Sequence, residues 1–381
     1  EVTAKAKPDK FPQGEISSVL SSFYDALQRY NPDDLVGRKG LDIYRKMAVD
    51  EQIKAAIYTK IFAVLSSGWE IQAPALPEEE AEMAEEVKDF VVWNFDEMAG
   101  HFDSKLQEML TALIYGFSCA EKVYWLIDYG RFAGKAGLKD LKFRRPEGLS
   151  FETDAYGNLK ENGVVQGGKN LPVSKFLIYS YMKQFSNFYG QSDLRSCYRA
   201  HWLKDTILKY MSIGLERFGE PIADISHEGT ITTAQRADLE NFLVNLQSRS
   251  GLVHDEKIKL AFLSPAFRVE TFVQAINLYD THLRIAILMP SLLGMSAEKQ
   301  GGSLARSGTE FNVFLWIINQ LRLDVETAIN EQAVKPITDL NYEVTGGQYP
   351  KFKFREVDEE REAQIYDMWL AGVTSGNLKK F

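Results

Sequence analysis

Histidine and cysteine side chains are the usual protein ligands of zinc, so their spacing is the first chemistry to consider. The five histidines are His101, His201, His227, His254 and His282. They form neither an H-x-H nor an H-E-x-x-H pattern, and Cys119 and Cys197 form no C-x-x-C pair. The spacing therefore predicts no metal site. It indicates two reduced structural thiols in a protein of the cytoplasm.

Nucleotide chemistry would require a glycine-rich loop whose backbone N–H groups surround phosphates. The closest match, residues 301–309 (GGSLARSGT), lacks the lysine and the spacing of that loop and follows a predicted helix rather than a strand. The sequence also contains no G-x-G-x-x-G pattern and no G-x-S-x-G nucleophile elbow. We therefore predict no catalytic residue, no cofactor and no enzyme activity. A carboxylate-metal hydrolase of the α+β class stays open as an alternative, because acidic residues are numerous.

The charge balance limits the kinds of partner that the protein can hold. The 53 acidic and 44 basic residues give a formal net charge of −9. Tight binding of nucleic acid through its phosphates needs a basic surface, which this balance argues against.

The chain of 381 residues is long enough for two or three domains, and its 45% hydrophobic share excludes wholesale disorder. No apolar run approaches the ~18 residues of a membrane span, so we predict no membrane contact.

The first half of the chain is predicted to mix helices with a later group of strands. Apolar residues at helical spacing predict helices over 46–66 and 78–98, and a capping box at Ser104 and Gln107 predicts a third that ends at Tyr115. Alternation and β-branched or aromatic residues predict strands. They cover residues 69–71, 117–129, 138–143 and 176–181. Helices followed by strands indicate an α+β fold rather than a doubly wound sheet.

The second half is predicted to contain three long helices and a compact insert. The helices cover 194–218, 269–289 and 309–334, with Asp193 expected to cap the first and Pro336 to end the third. The insert has strands over 222–226, 251–254 and 258–263, and a helix over 233–247 that begins with the capping box of Thr232 and Gln235. A glycine-bearing stretch, 295–308, separates the second and third long helices.

This order of elements resembles the protomer of a tailed-bacteriophage portal protein. Residues 115–122 (YGFSCAEK) are similar to a turn that leads into a portal strand, and residues 188–195 (FYGQSDLR) resemble the start of the first stem helix. Residues 215–221 (LERFGEP) resemble the end of that helix in the Mu-like branch, and residues 289–294 (MPSLLG) the approach to the tunnel loop. The resemblance spans about residues 40–355 and departs at the C-terminus, where about 25 residues follow the last predicted strand. The helical crown is therefore expected either to be short or to be cut off in this sequence.

The resemblance implies an α+β protomer with long stem and tunnel helices, an α/β clip insert and an α+β wing, which assembles into a ring. The N-terminal arm and wing would cover 1–193, the first stem helix 194–219, the clip 220–268 and the second stem helix 269–293. The tunnel loop would cover 294–308, the tunnel helix and the return to the wing 309–357, and the start of the crown 358–381.

The resemblance also implies the partners. A homo-oligomer, expected to be a dodecamer, would sit at one vertex of the capsid in the virion after assembly in the host cytoplasm. Double-stranded DNA would enter through it during packaging and leave during ejection, without sequence specificity. The terminase large subunit, a head–tail connector or adaptor protein, and the major capsid and scaffolding proteins would contact it. Another ring-forming virion adaptor is the remaining alternative.

Two groups of residues follow from this assignment. Small, polar and oppositely charged side chains in the tunnel loop suit sliding contact with DNA, because weak phosphate contacts are offset by a nearby carboxylate. They are Ser296, Glu298, Lys299, Gln300, Ser303, Arg306 and Ser307. The clip is expected to bind partner proteins through exposed charged residues. Those are Glu228, Arg236, Asp238, Glu240 and Arg249.

Overall fold

The computed structural model describes residues 31–74, 81–218, 222–227, 229–244, 258–263, 268–289, 304–344 and 349–355. The chain forms two compact units. The first comprises residues 1–198 and 283–381, and the second comprises the intervening residues 199–282. The second unit therefore contains the predicted insert together with parts of the two long helices on either side of it.

Short helices form the beginning of the first unit. They are α1 (Asp34–Lys39), α2 (Asp42–Met47) and α3 (Glu51–Leu65), followed by strand β1 (Trp69–Gln72). The single helix predicted over 46–66 is thus interrupted, because the Asp50 carboxylate accepts hydrogen bonds from the N–H groups of Gln52 and Ile53 and starts α3 there.

Three further helices precede the main sheet. They are α4 (Ala81–Asp96), α5 (Phe102–Met109) and α6 (Ala112–Tyr115). The capping box predicted at Ser104 and Gln107 is wrong. Helix α5 begins at Phe102, with an extended residue, His101, before it, so Ser104 lies inside the first turn.

Two antiparallel sheets follow. Strands β2 (Phe117–Leu126), β3 (Ala136–Phe143), β4 (Leu149–Thr153), β5 (Leu159–Gln166), β6 (Lys169–Leu171) and β7 (Phe176–Ser180) form them in the orders β3-β2-β7 and β4-β5-β6. The turn between β4 and β5 is built on Asp154, whose carboxylate accepts hydrogen bonds from Tyr156 N at 2.8 Å and Asn158 N at 3.0 Å. The two sheets agree with the α+β character predicted for the region.

Helix α7 (Leu194–Phe218) leads into the insert, and α9 (Val269–Ala286) follows it. Between them lie β8 (Ile222–His227), α8 (Thr233–Val244) and β9 (Ile258–Leu263), with β8 and β9 paired antiparallel. The capping box of α8 is confirmed, since Thr232 N donates to Gln235 Oε1 at 3.0 Å and Gln235 N donates to Thr232 Oγ1 at 3.3 Å. The strand predicted over 251–254 lies outside the described residues.

The last long helix, α10 (Leu304–Ile329), begins five residues earlier than predicted. It continues through a π-helical turn, Asn330–Val334, into α11 (Lys335–Asp339), and strand β10 (Lys351–Phe354) then pairs antiparallel with β1. Pro336 therefore does not end the helix. It occupies the first turn of α11, where the missing N–H of proline costs little. The predicted start of the crown, 358–381, lies outside the described residues.

Aromatic rings fill part of the core of the first unit. Phe95 and Phe102 stack with ring centroids 4.2 Å apart, and Trp69 and Phe352 meet both rings. Since Trp69 lies on β1 and Phe352 on β10, this cluster fixes the chain's return after α11 against the N-terminal helices.

Candidate functional site

The start of α7 is built on two glycines that face each other. Gly116 (φ +88°) ends α6, and Gly190 (φ +58°) lies just before α7. A Cβ atom on Gly190 would collide with the carbonyl oxygens of Gly116 and Tyr181. Both positions therefore require glycine for backbone conformation and for space, which explains the Y-G pairs at 115–116 and 189–190.

A buried ion pair holds the first residue before α7. Lys60 Nζ of α3 lies 2.8 Å from Asp193 Oδ2, and the Tyr181 hydroxyl donates to Asp193 Oδ1 at 3.0 Å. The Lys60 side chain is fully buried, and Asp193 nearly so. Burial, together with the Asp193 carboxylate, raises the pKa of Tyr181, so its hydroxyl stays a donor.

The prediction that the Asp193 side chain caps α7 is therefore wrong. Its carboxylate serves the ion pair, while Ser192 Oγ accepts from Leu194 N at 3.0 Å at the helix start. The predicted helix is confirmed, but sequence reasoning missed the Lys60 partner. The only signal was an acidic residue in a motif, and no local spacing points from it to a lysine 133 positions away.

Within the second unit, α7 and α9 are joined by another buried pair. Lys204 Nζ lies 2.8 Å from Asp280 Oδ1, and the lysine side chain is almost completely buried. Large apolar side chains on the same helices face water, with Trp202 54% and Tyr210 60% exposed. The others are Leu208, Ile213, Leu215, Val273 and Leu278. An accumulation of this kind is typical of a protein–protein contact surface.

In the first unit, α10 also leaves one side uncovered. Phe314, Ile318 and Val325 are buried, whereas Trp316 is 69% exposed and Leu323 is also exposed. Arg322 fixes α10 against α3, because its guanidinium donates to the carbonyl oxygens of Val64 at 3.1 Å and Ala63 at 2.8 Å. The helix therefore buries one apolar side within the chain, while Trp316 and Leu323 lie on a side that the described residues leave uncovered.

Three side-chain amides at the end of this helix bind strands through both of their polar atoms. Gln332 accepts from Ile178 N and donates to Ile178 O, each at 2.8 Å, and Asn330 does the same with Phe352 at 2.7 and 2.9 Å. Asn341 pairs with Ala136 in this way. Through these amide pairs, residues 330–341 hydrogen-bond to the backbone of strands β7, β10 and β3 and so attach the end of the helix to the sheets.

A buried lysine lies beside the Gln332 amide pair. Lys122 Nζ on β2 donates to the carbonyl oxygen of Gln332 at 2.9 Å. Burial lowers the pKa of Lys122 to about 8, and nearby Lys175 acts in the same direction. The carbonyl dipole of Gln332 faces the ammonium group, which is expected to lose its proton at a lower pH than an exposed lysine would.

The predicted tunnel-loop residues divide into two groups. Ser296, Glu298, Lys299, Gln300 and Ser303 lie outside the described residues. Arg306 and Ser307 lie in the first turns of α10, which starts at Leu304, so their assignment to a loop is wrong. A glycine at position 308 did not stop the helix, because a single glycine costs only ~1 kcal/mol inside one.

The predicted clip residues lie on or near α8. Arg236, Asp238 and Glu240 are exposed, and Arg236 Nε lies 3.1 Å from Glu240 Oε1 across one helical turn. Glu228 and Arg249 lie outside the described residues. None of the described side chains of α8 is buried, so this helix offers nearly its whole circumference to water or to a partner.

Metal and thiol chemistry find no support in the described ranges. No group of three histidine, cysteine, aspartate or glutamate residues there could hold a metal ion. Burial raises the pKa of the Cys119 and Cys197 thiols to about 12, which makes them poor nucleophiles.

Across the same ranges, no helix combines the length and apolarity needed to cross a membrane.

Comparison with known proteins yields one family and several solved structures. A family model described as the portal protein of Mu bacteriophage matches residues 41–376. The neck of an empty GTA particle computed with C6 symmetry has a similar chain, with 11% identity, 90% of this chain and 89% of that chain covered, and a TM-score of 0.60.

Two further structures share the fold. The neck of a native GTA particle computed with C12 symmetry matches with 12% identity, 90% and 89% coverage and a TM-score of 0.59. The virion of the native gene transfer agent particle matches with 11% identity, 91% and 90% coverage and a TM-score of 0.59.

Proposed function

The chain belongs to the portal protein family of Mu bacteriophage, and we propose that it forms the portal of a tailed-phage particle. In this role copies close into a ring at one vertex of the capsid, and double-stranded DNA passes through the centre. The match over residues 41–376 carries the proposal, since it includes every described helix and strand from α2 onward.

The exposed apolar faces of the long helices supply a physical basis for the ring. A closed ring joins unlike surfaces of neighbouring copies, so each copy needs two separate contact surfaces. Trp202 and Tyr210 in the second unit, and Trp316 and Leu323 in the first, are large side chains that a neighbour would cover. Twelve copies is the proposed number, and the C12 symmetry of one similar neck structure supports it.

The proposal assigns different tasks to the loop before α10 and to the insert. Residues 294–303 together with the first turns of α10 would line the narrow part of the channel, where weak contacts let DNA slide. Helix α8, with Arg236, Asp238 and Glu240, would contact the terminase during filling and the head–tail connector afterwards. Major capsid and scaffolding proteins would contact the ring during assembly, and packaging energy would come from the terminase.

The test is the mass and shape of the purified full chain. We expect a ring whose central opening exceeds the roughly 20 Å width of duplex DNA, and a particle mass many times the 43.3 kDa of one chain. Trp202→Glu and Trp316→Glu should each shift light-scattering mass toward the single chain while leaving the circular dichroism spectrum unchanged. Tyr156→Glu is the control, because Tyr156 is exposed and belongs to the β4–β5 turn rather than to a long helix.

Particles of 43.3 kDa at every concentration and salt level would contradict the ring. A ring that forms but does not support DNA packaging by its phage would favour the alternative of a virion adaptor. ATP hydrolysis or DNA cleavage by the pure protein, abolished by a point substitution in it, would contradict the prediction that it is not an enzyme.

A further inference from the structure

The helical segment that follows α10 contains a proline where an α-helix would use a backbone donor. The chain runs from α10 through the π-helical turn Asn330–Val334 into α11. In an α-helix the carbonyl of Gln332 would accept a hydrogen bond from the N–H of residue 336. Residue 336 is a proline, which has no N–H and whose ring would press against that same carbonyl. The segment therefore cannot supply the α-helical donor for the Gln332 carbonyl.

A side chain from strand β2 donates to this carbonyl instead. Lys122 Nζ lies 2.9 Å from Gln332 O, although the two residues are 210 positions apart in the sequence. The Lys122 side chain is buried, with 5% of the residue exposed. Burying an ammonium group costs free energy that an apolar side chain at the same position would avoid. The position of Lys122 therefore indicates that its hydrogen bond to the helix has a task of its own.

The π-helical turn lies between two sets of contacts that attach the helical segment to strands. Before and within the turn, Arg322 fixes α10 against α3, and Asn330 binds both polar backbone groups of Phe352 on β10. After it, Asn341 binds both groups of Ala136 on β3. A π-helical turn holds an extra residue, which corresponds to ~100° of rotation in an α-helix. An α-helical path through the turn would therefore move one set of contacts off its strand.

We propose that Lys122 replaces the donor that Pro336 lacks and thereby locks the π-helical turn, so that residues 330–341 open as a local unit when this donor is removed. Lys122, Gln332 and Pro336 are called the lysine–proline lock. Because residues 330–341 join α10 to β3, β7 and β10, the lock determines how firmly the end of the long helix is attached to the sheets. The inference goes beyond the proposed function and does not depend on ring formation, since every residue involved belongs to one chain.

Hydrogen exchange of three backbone amides measures the local opening. The Ile178 amide donates to the Gln332 side chain at 2.8 Å, and the Phe352 amide donates to the Asn330 side chain at 2.7 Å. The reference is the amide of Phe151, which also donates to a side chain, at 3.0 Å, but lies in the other three-stranded sheet. In Lys122→Met we expect the first two amides to exchange at least roughly tenfold faster relative to the reference. Equal acceleration of all three amides would overturn the local unit.

A double-mutant cycle tests whether Lys122 acts in place of the missing N–H. Pro336→Ala provides an N–H at position 336 that can serve the Gln332 carbonyl. In that background we expect Lys122→Met to accelerate the two amides no more than about threefold. Lys175→Met is the control, because it removes an exposed lysine near Lys122 and should leave exchange unchanged in both backgrounds. An equal effect of Lys122→Met with and without Pro336 would overturn the lock.

The single variant Pro336→Ala keeps the test decisive if Lys122→Met does not fold. The new amide at position 336 should exchange at least roughly tenfold more slowly than an amide of an unstructured chain, because it meets the Gln332 carbonyl. Folding of the double variant where Lys122→Met alone does not fold would support the lock in the same way. An unprotected amide at position 336 would overturn it.

Discussion

At the scale of single residues, the Lys60–Asp193 pair shows how a motif residue acquires its role from a distant partner. Removing the carboxylate leaves a buried ammonium group without its counter-charge. We expect Asp193→Asn to lower the free energy of unfolding by about 3–5 kcal/mol in urea titrations. Asp205→Asn on the same helix should cost under ~1 kcal/mol, since the pair of Asp205 with Lys209 is exposed. Similar losses for both variants would show that burial of the pair is unimportant.

Lys122 predicts a pH dependence. Its pKa is lowered from the ordinary 10.5 to about 8, so between these values the unfolded chain binds more protons than the folded chain. The contribution of Lys122 to the free energy of unfolding therefore becomes more favourable to the folded state as the pH increases from about 8 to 10.5. Comparing urea unfolding of the unchanged protein and Lys122→Met across this range isolates the effect from other titrating groups. An equal slope in both proteins would contradict it.

At the scale of elements, the π-helical turn after α10 is where the long helix meets the sheets. Gln332→Leu removes both hydrogen bonds to Ile178 and leaves a strand N–H and C=O without these partners. We expect a loss of about 2–4 kcal/mol in the free energy of unfolding. Gln320→Leu is the control, because among the described residues Gln320 donates to Asp324 on an exposed surface, and its loss should change stability by less than ~0.5 kcal/mol.

Helix α8 carries the prediction for partner binding. Its exposed charged residues make no buried contact, so reversing them should change thermal stability little. In a variant with Arg236→Glu, Asp238→Lys and Glu240→Lys, positions 236 and 240 exchange their charges, so the i,i+4 ion pair between them is kept. We expect the melting temperature to stay nearly constant and the affinity for terminase or connector to fall at least tenfold. Unchanged binding of both partners would remove this role from α8.

At the scale of the whole molecule, the loop between α9 and α10 is predicted to control DNA in the channel. The boundary found at Leu304 changes how that prediction should be tested, because deleting residues up to 307 would also cut the helix. Deletion of residues 296–302 keeps α10 complete. We expect rings to form and DNA packaging or retention to fall several-fold. Normal packaging together with normal retention would show that the loop is only a connection.

The amino-acid sequence by itself determined the order of the elements, the three long helices and the family resemblance, because helix and strand periods are local properties. Local signals did not suffice where packing decides. The capping box at Thr232 forms, whereas the similar pattern at Ser104 does not, because α5 already begins at Phe102.

Only the tertiary structure decided which faces and partners those elements have. The link of Gln332 to Ile178 spans 154 positions, and the link of Asn341 to Ala136 spans 205. Trp316 and Ile318 belong to one apolar run, yet the first faces water and the second is buried. Periodicity defines a helix, but the elements packed around it determine which of its side chains are covered. Those elements come together only when distant parts of the chain fold against each other.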